Sequence, residues 1–149
     1  MKINWNIKPF DALSLTELHD MLRLREDVFV VEQKCIYNEI DGQDPIAIHW
    51  LGHHDKAGFV ACSRILPAGS DGFPHVGRIV VRTNERGLGF ASEMMNIALR
   101  ALRDNFGTDR SALAAQTYLE SFYERFGYVR KSEDYMWDGI MHVNMIRKG

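Results

Sequence analysis

A strand that breaks into a glycine-bearing loop and re-emerges as a long amphipathic helix constrains this chain more than any other feature. Val76 to Val81 is a strand-like apolar run, TNERGLG follows, and Ala91, Met94, Met95, Ala98, Leu99 and Leu102 trace one helical face until Gly107 ends it. Such a loop presents the helix's first unpaired amides together with the positive end of its dipole, which suits an anion. Gly87 and Gly89 let the backbone approach a pyrophosphate closely, and Arg86 adds a planar cationic fork. Three nucleotide motifs compete for the loop. A P-loop needs GxxxxGK followed by Ser or Thr, which the chain lacks, and a dinucleotide fingerprint fails where its third glycine meets Ser92. What remains is RxxGxA: Arg86, Gly89 and Ala91.

The elements around this unit predict an α+β fold. Ser14 and Glu17 form a capping box, and Leu15, Leu18, Met21, Leu22 and Leu24 follow with helical spacing, so a helix runs from Leu15 to about Val28. Val28 to Asp44 reads as a helix end and an irregular excursion, the kind of segment that holds substrates. Ile46 to Leu51 and Phe59 to Leu66, joined by the polar turn HHDKAG, read as an antiparallel hairpin. Beyond the long helix come a strand at Ser111 to Gln116 and a short helix at Leu119 to Phe126 stopped by Gly127. Tyr135 to Met136 and His142 to Ile146 make a final strand pair. The order implies a central, mostly antiparallel sheet.

At 149 residues the expectation is one domain over 1–149, and no repeat or linker divides it. A net charge of -2 gives no basic field for nucleic acid. No apolar run approaches the roughly 20 residues of a membrane span, and Met1 to Phe10 is unlike a signal peptide, so the expected location is the cytoplasm. Cys35 and Cys62 form no CxxC pair and read as spectators, and His53 and His54 sit in a turn where neighbouring side chains diverge, so no metal is expected.

Downstream of the loop, Gln116 ends a strand and Tyr123 lies in LESFYERFGY, just before a glycine stop. Taken with GRIVVRTNERGLGFA, these residues resemble the GNAT superfamily of acyl-CoA-dependent N-acetyltransferases. RLREDVFVVEQKCIYNEIDGQD and ACSRILP further resemble its ElaA-like branch. The resemblance implies a three-layer fold, a central mixed sheet flanked by helices, and acetyl-CoA as co-substrate. By position it implies pyrophosphate on the backbone of Arg86, Gly87, Leu88, Gly89, Phe90 and Ala91, with pantetheine alongside Ile79, Val80 and Val81 as a false strand. It further implies a thioester polarised by the Val81 amide, with Gln116 in the place of a usual Asn and Arg125 near the adenosine end. Tyr123 matches the family's general acid, a phenol able to return a proton to the leaving thiolate.

The base is less determined. The strand before the loop carries Arg78 where many family members have a carboxylate, which leaves Glu32, Asp41 and His49 as candidates. The expected reaction is direct acetyl transfer to an amine in a ternary complex. Alternatives are a catalytically quiet acyl-CoA-binding or sensing module and, from Arg25, Phe29 and Asp41, an acyl-homoserine-lactone synthase-like enzyme. A homodimer through exposed strand edges is a further expectation.

Overall fold

A computed structural model describes residues 2–149; Met1, the first residue of the segment read as unlike a signal peptide, lies outside them. The elements in chain order are β1 (Asn4–Pro9), α1 (Leu15–Arg25), β2 (Ile48–His54), β3 (Gly58–Leu66), β4 (His75–Val81) and α2 (Phe90–Phe106). There follow β5 (Ser111–Gln116), α3 (Glu120–Glu124), β6 (Val129–Arg130), β7 (Tyr135–Trp137) and β8 (Ile140–Arg147). The strands form one sheet in the order β1-β2-β3-β4-β5-β8-β6, with β7 also pairing β8. Every pairing is antiparallel except that of β4 with β5. The mixed, mostly antiparallel sheet and its α+β class stand as expected.

Alternation along the strands divides the core between two faces. Trp50, Ala61 and Val76 pack with Phe90, Met94, Ala98 and Leu102 of α2, and Leu113, Ala115 and Val143 pack with Met95 of α2 and Tyr123 of α3. On the opposite face Leu51, Cys62 and Val80 meet Met21, Leu24 and Val28. Helices therefore cover both sides, which is the three-layer arrangement.

Local chemistry sets the helix ends. Ser14 Oγ accepts from the Glu17 amide at 3.0 Å while Glu17 accepts from the Ser14 amide at 2.9 Å, completing the capping box. At the far end of α1 the chain widens into π-turns over Glu26–Glu32, where the Gln33 amide donates to the Val28 carbonyl and the Cys35 amide to the Val30 carbonyl, each at 3.1 Å. Gly107, at φ 63°, closes α2 in an αL cap, its amide donating to the Arg103 carbonyl at 3.1 Å. The sequence pattern does not predict β1, although Trp5 and Ile7 alternate with Asn4, Asn6 and Lys8, nor the two-residue β6. No helix among the described residues is long and apolar enough to cross a membrane.

Candidate active site

The site begins where β4 and β5 part. The two parallel strands share one register pair, His75 with Ala112, beside a 2.9 Å bond from the Ala112 amide to the Pro74 carbonyl. Across β3 and β4, Arg64 faces Gly77 and Cys62 faces Val80, so Ser63 alone opposes both Arg78 and Ile79. This is a β-bulge, with Arg78 at φ 52° and Ser63 Oγ donating to the Gly77 carbonyl at 2.8 Å. A bulge bends its strand, and here the bend falls where β4 leaves β5. Beyond it the Arg82 amide donates to the Val60 carbonyl at 2.7 Å, so strand alternation turns the amides of Val81 and Ile79 to the opposite, open edge.

The gap between the strands is a cavity of about 400 Å³. Ile79, Val80, Val81 and Gln116 form its strand walls, with Arg86 and Ala91 at one end and Tyr123 set into its side from α3. Those seven predicted residues are brought together. Gly87, Leu88, Gly89, Phe90 and Arg125 lie off the cavity wall: Phe90, the first residue of α2, is buried in the core between the helix and the sheet, and the Arg125 guanidinium sits over the Phe122 ring, 5.1 Å from its centroid.

Gly87 and Gly89 adopt φ of 81° and 82°, which a glycine tolerates at little cost, and nothing lies within 4 Å of where a Cβ would stand on either. The first α2 bond runs from Glu93 to the Gly89 carbonyl, so the amides of Phe90, Ala91 and Ser92 have no intrahelical acceptor. The loop is therefore an open, amide-lined helix start. Its arginine differs from expectation: instead of standing uncommitted, Arg86 donates through Nε to the Val81 carbonyl at 3.0 Å and through Nη1 to Glu32 at 2.9 Å. It ties the loop to the end of the π-turn.

Tyr123 is buried, edge-on to Phe122 and Tyr128 with centroids 5.1 and 6.3 Å away. Its hydroxyl makes no hydrogen bond within the described residues, and burial pushes the phenol above its ordinary range, so it stays protonated at neutral pH. A protonated hydroxyl without an internal partner, on a cavity wall, can donate to an anion.

The three base candidates are not equivalent. Glu32 lines the cavity, but hydrogen bonds from Thr83 Oγ1 and Arg86 hold its carboxyl below the usual range and commit both oxygens. Asp41 is not on the cavity wall. Burial would raise its carboxyl, yet bonds from Arg64 and the Gln43 amide, with the Arg78 charge, hold it at about 2. His49 is fully enclosed: Nε2 donates to the Asp44 carbonyl at 2.9 Å, Nδ1 is sealed from solvent, and burial keeps the ring neutral. The geometry thus removes Asp41 and His49 from contact with the cavity, a correction to both expectations.

Asp41 belongs instead to a cluster that the sequence did not disclose. Arg25, Arg64 and Arg78 meet Glu39, Asp41 and Asp44 through pairs of 2.6 to 3.4 Å. Tyr37 donates to Glu39 at 2.7 Å. Three cations balance three carboxylates in the interior, which is the condition for burying charge at tolerable cost. The cluster folds residues 33–47 against β3 and β4, and this places Cys35 and Tyr37 on the cavity wall beside Arg78. Cys35 donates to the Asp138 carbonyl at 3.1 Å, whereas Cys62 is fully enclosed with its thiol pushed up by burial to about 12. Neither forms a disulfide. His142 and Trp137 also face the cavity, and sequence pattern does not single out either, because each sits in a strand far from the loop motif.

Comparison with known proteins bears on this architecture. The family model described as the acetyltransferase (GNAT) domain matches residues 21–148. Protein ElaA of Escherichia coli is 36% identical over 149 residues, covering 98% of this chain and 97% of its own. The ElaA crystal structure superposes with a TM-score of 0.91 at 34% identity, over 99% of this chain and 100% of the other. The crystal structure of an acyl-CoA N-acyltransferase from Pseudomonas aeruginosa gives a TM-score of 0.93 at 36% identity, over 98% of this chain and 99% of that one. The acyl-homoserine-lactone synthase LasI is similar at a TM-score of 0.75 and 20% identity, covering 97% of this chain and 89% of its own, which shows a shared fold alone.

Proposed function

The chain belongs to the GNAT acetyltransferase domain family, and from that premise we propose that it transfers the acetyl group of acetyl-CoA directly to an amine in a ternary complex. The observation that carries the reading is the open edge of β4. Extended pantetheine carries amides, and the outward amides of Ile79 and Val81 offer them a strand edge to pair with, the Val81 carbonyl being held by Arg86. Pyrophosphate then falls at the start of α2, against the amides of the Arg86 to Ala91 loop, and the helix dipole favours its charge. Gln116 faces the same space from β5, and the adenosine end is assigned to Arg125.

In this reading the Val81 amide donates to the thioester carbonyl as it gains negative charge. The amine nitrogen attacks the carbonyl carbon, the carbon–sulfur bond breaks, and the Tyr123 hydroxyl gives its proton to the departing thiolate. No covalent enzyme intermediate is required, in keeping with the enclosed Cys62 and with a Cys35 thiol already donated to a carbonyl. Acceptors enter from the side of the cavity walled by Tyr37, Arg78 and Trp137. A homodimer along the outer edges of β1 and β7 belongs to the same reading.

The test is acetyl-CoA with a panel of amines, products followed by mass spectrometry, alongside Tyr123→Phe. The substitution should lower turnover by about 10²-fold or more and leave acetyl-CoA affinity unchanged. Acetyl-CoA binding with no acetylated product from any amine would point instead to a binding or sensing module. Equal loss of turnover and affinity in Tyr123→Phe would remove the tyrosine's acid role. Acylated homoserine lactone in place of acetylated amine would favour the synthase-like alternative.

A further inference from the structure

An amine acceptor reaches a neutral-pH active site as an ammonium and must shed protons before and during attack, yet Glu32, Glu39 and Asp41 are held by arginines. One group on the wall is built differently. His142 lies on β8 directly opposite Gln116 of β5 and Tyr135 of β7, buried at 9% exposure, and lines the same cavity as Tyr123. Its Nδ1 sits 2.7 Å from the Ile140 carbonyl oxygen. A carbonyl only accepts, so Nδ1 carries the hydrogen and a neutral ring presents Nε2 as a bare lone pair. Nε2 makes no hydrogen bond among the described residues, and it is not among the sealed unpaired atoms. The ring is stacked on Tyr135 at 6.0 Å and meets Trp137 edge-on at 5.3 Å, which fixes its plane.

We propose that His142 is the general base of the transfer, taking the acceptor's proton on Nε2. This rests on the acetyltransferase reading above and adds the residue that reading lacks. The ammonium loses one proton to solvent as the amine enters the cavity. As nitrogen bonds to the thioester carbon, its second proton passes to His142 Nε2. The carbon–sulfur bond then breaks and the thiolate takes the Tyr123 proton. Tyr123 recovers a proton and His142 releases one through solvent, so the net change is one proton released for each ammonium acetylated. Base and acid reach the reaction from β8 and α3, on the side of the gap formed by β5, while the polarising Val81 amide reaches it from β4.

The other titratable groups on the wall are engaged or unsuited. Glu32 is bound to Thr83 and Arg86, Arg78 to Glu39 and Asp41, and Tyr37 to Glu39. Cys35 donates to the Asp138 carbonyl, and Tyr123 is kept protonated by burial. Tyr118, also on the wall, is an exposed phenol with no carboxylate or imidazole to offer, so among the described residues the Asp138 carboxylate, exposed in the turn between β7 and β8, is left as the competing base and serves as the control.

The experiment compares wild type, His142→Asn and Asp138→Asn, using acetyl-CoA and the best amine found in the panel. The asparagine side chain keeps an N–H for the Ile140 carbonyl but has no basic site. The expected result is a fall in kcat of about 10²–10⁴-fold in His142→Asn. Acetyl-CoA affinity should be unchanged, and Asp138→Asn should stay near wild type. Wild-type turnover in His142→Asn overturns the assignment, as does a loss confined to Asp138→Asn. Nitrogen-15 NMR of wild-type His142 tests it independently of folding in the variant: an Nδ1–H tautomer supports it and an Nε2–H tautomer overturns it. A wild type that acetylates no amine takes down the enzyme reading and this role together; an active wild type with an unaffected His142→Asn takes down this role alone.

Discussion

Gly89 carries the loop into α2 with a backbone angle that costs any L side chain roughly 1–2 kcal/mol. Space is not the obstacle, since nothing lies within 4 Å of the missing Cβ. Gly89→Ala is therefore expected to lower stability by about 1 kcal/mol in chemical denaturation and to weaken acetyl-CoA binding in calorimetry. Unchanged affinity would mean that the loop backbone does not hold the donor. Residues of this kind are legible because their chemistry is local: two glycines before an amphipathic run, and a tyrosine before a glycine stop. Asp41 and His49 mislead for the opposite reason. An exposed-looking carboxylate in DGQD and a histidine on a strand gain their partners, Arg64 and the Asp44 carbonyl, only through tertiary contacts. His142 is silent in the sequence on the same ground, since its value lies in facing Gln116 across a strand pair.

Among the elements, β4 has the most to explain. It pairs with β3 through a bulge and then abandons β5, leaving the Val81 amide without a strand partner. Amide hydrogen exchange should therefore be faster at Val81 than at Arg82, whose amide donates to Val60, and acetyl-CoA should slow Val81 selectively. Equal protection of the two amides with and without acetyl-CoA would rule out pairing along this edge. The strand itself is readable to within one residue, as are the start of α1 and the whole of β5, since period and caps suffice there. What the sequence could not convey is the bulge. VGRIVV looks like an uninterrupted strand, and Arg78 at positive φ follows from Ser63 seizing the Gly77 carbonyl and from the pull of Glu39 on the guanidinium. β1 and β6 escape because an edge strand of mixed polarity and a two-residue strand carry too little pattern.

At the scale of the molecule, the interior cluster of Arg25, Arg64, Arg78, Glu39, Asp41 and Asp44 couples stability to acidity. Burial opposes ionisation of Asp41 and Asp44, but their arginine partners prevail and both carboxyls are held below the ordinary value of 3.8. A group depressed on folding stabilises the native state fully above its unfolded pKa and loses that contribution as pH falls toward the folded one. Thermal unfolding followed by circular dichroism should thus show a contribution that is constant above about pH 5 and lost between about pH 4 and 2. Asp41→Asn should be less stable at pH 7 and flatter across the acid range. An unaltered acid profile would exclude Asp41 from that transition. The same cluster also restricts the routes open to sequence change. Because each arginine answers to two carboxylates, and each carboxylate to at least one arginine, loss of one member strands a charge that the remaining five cannot neutralise. A substitution at the exposed Ile36, Ile40 or Ile46 of the same segment leaves every one of these charges paired, whereas a change at any of the six calls for a second to restore the balance.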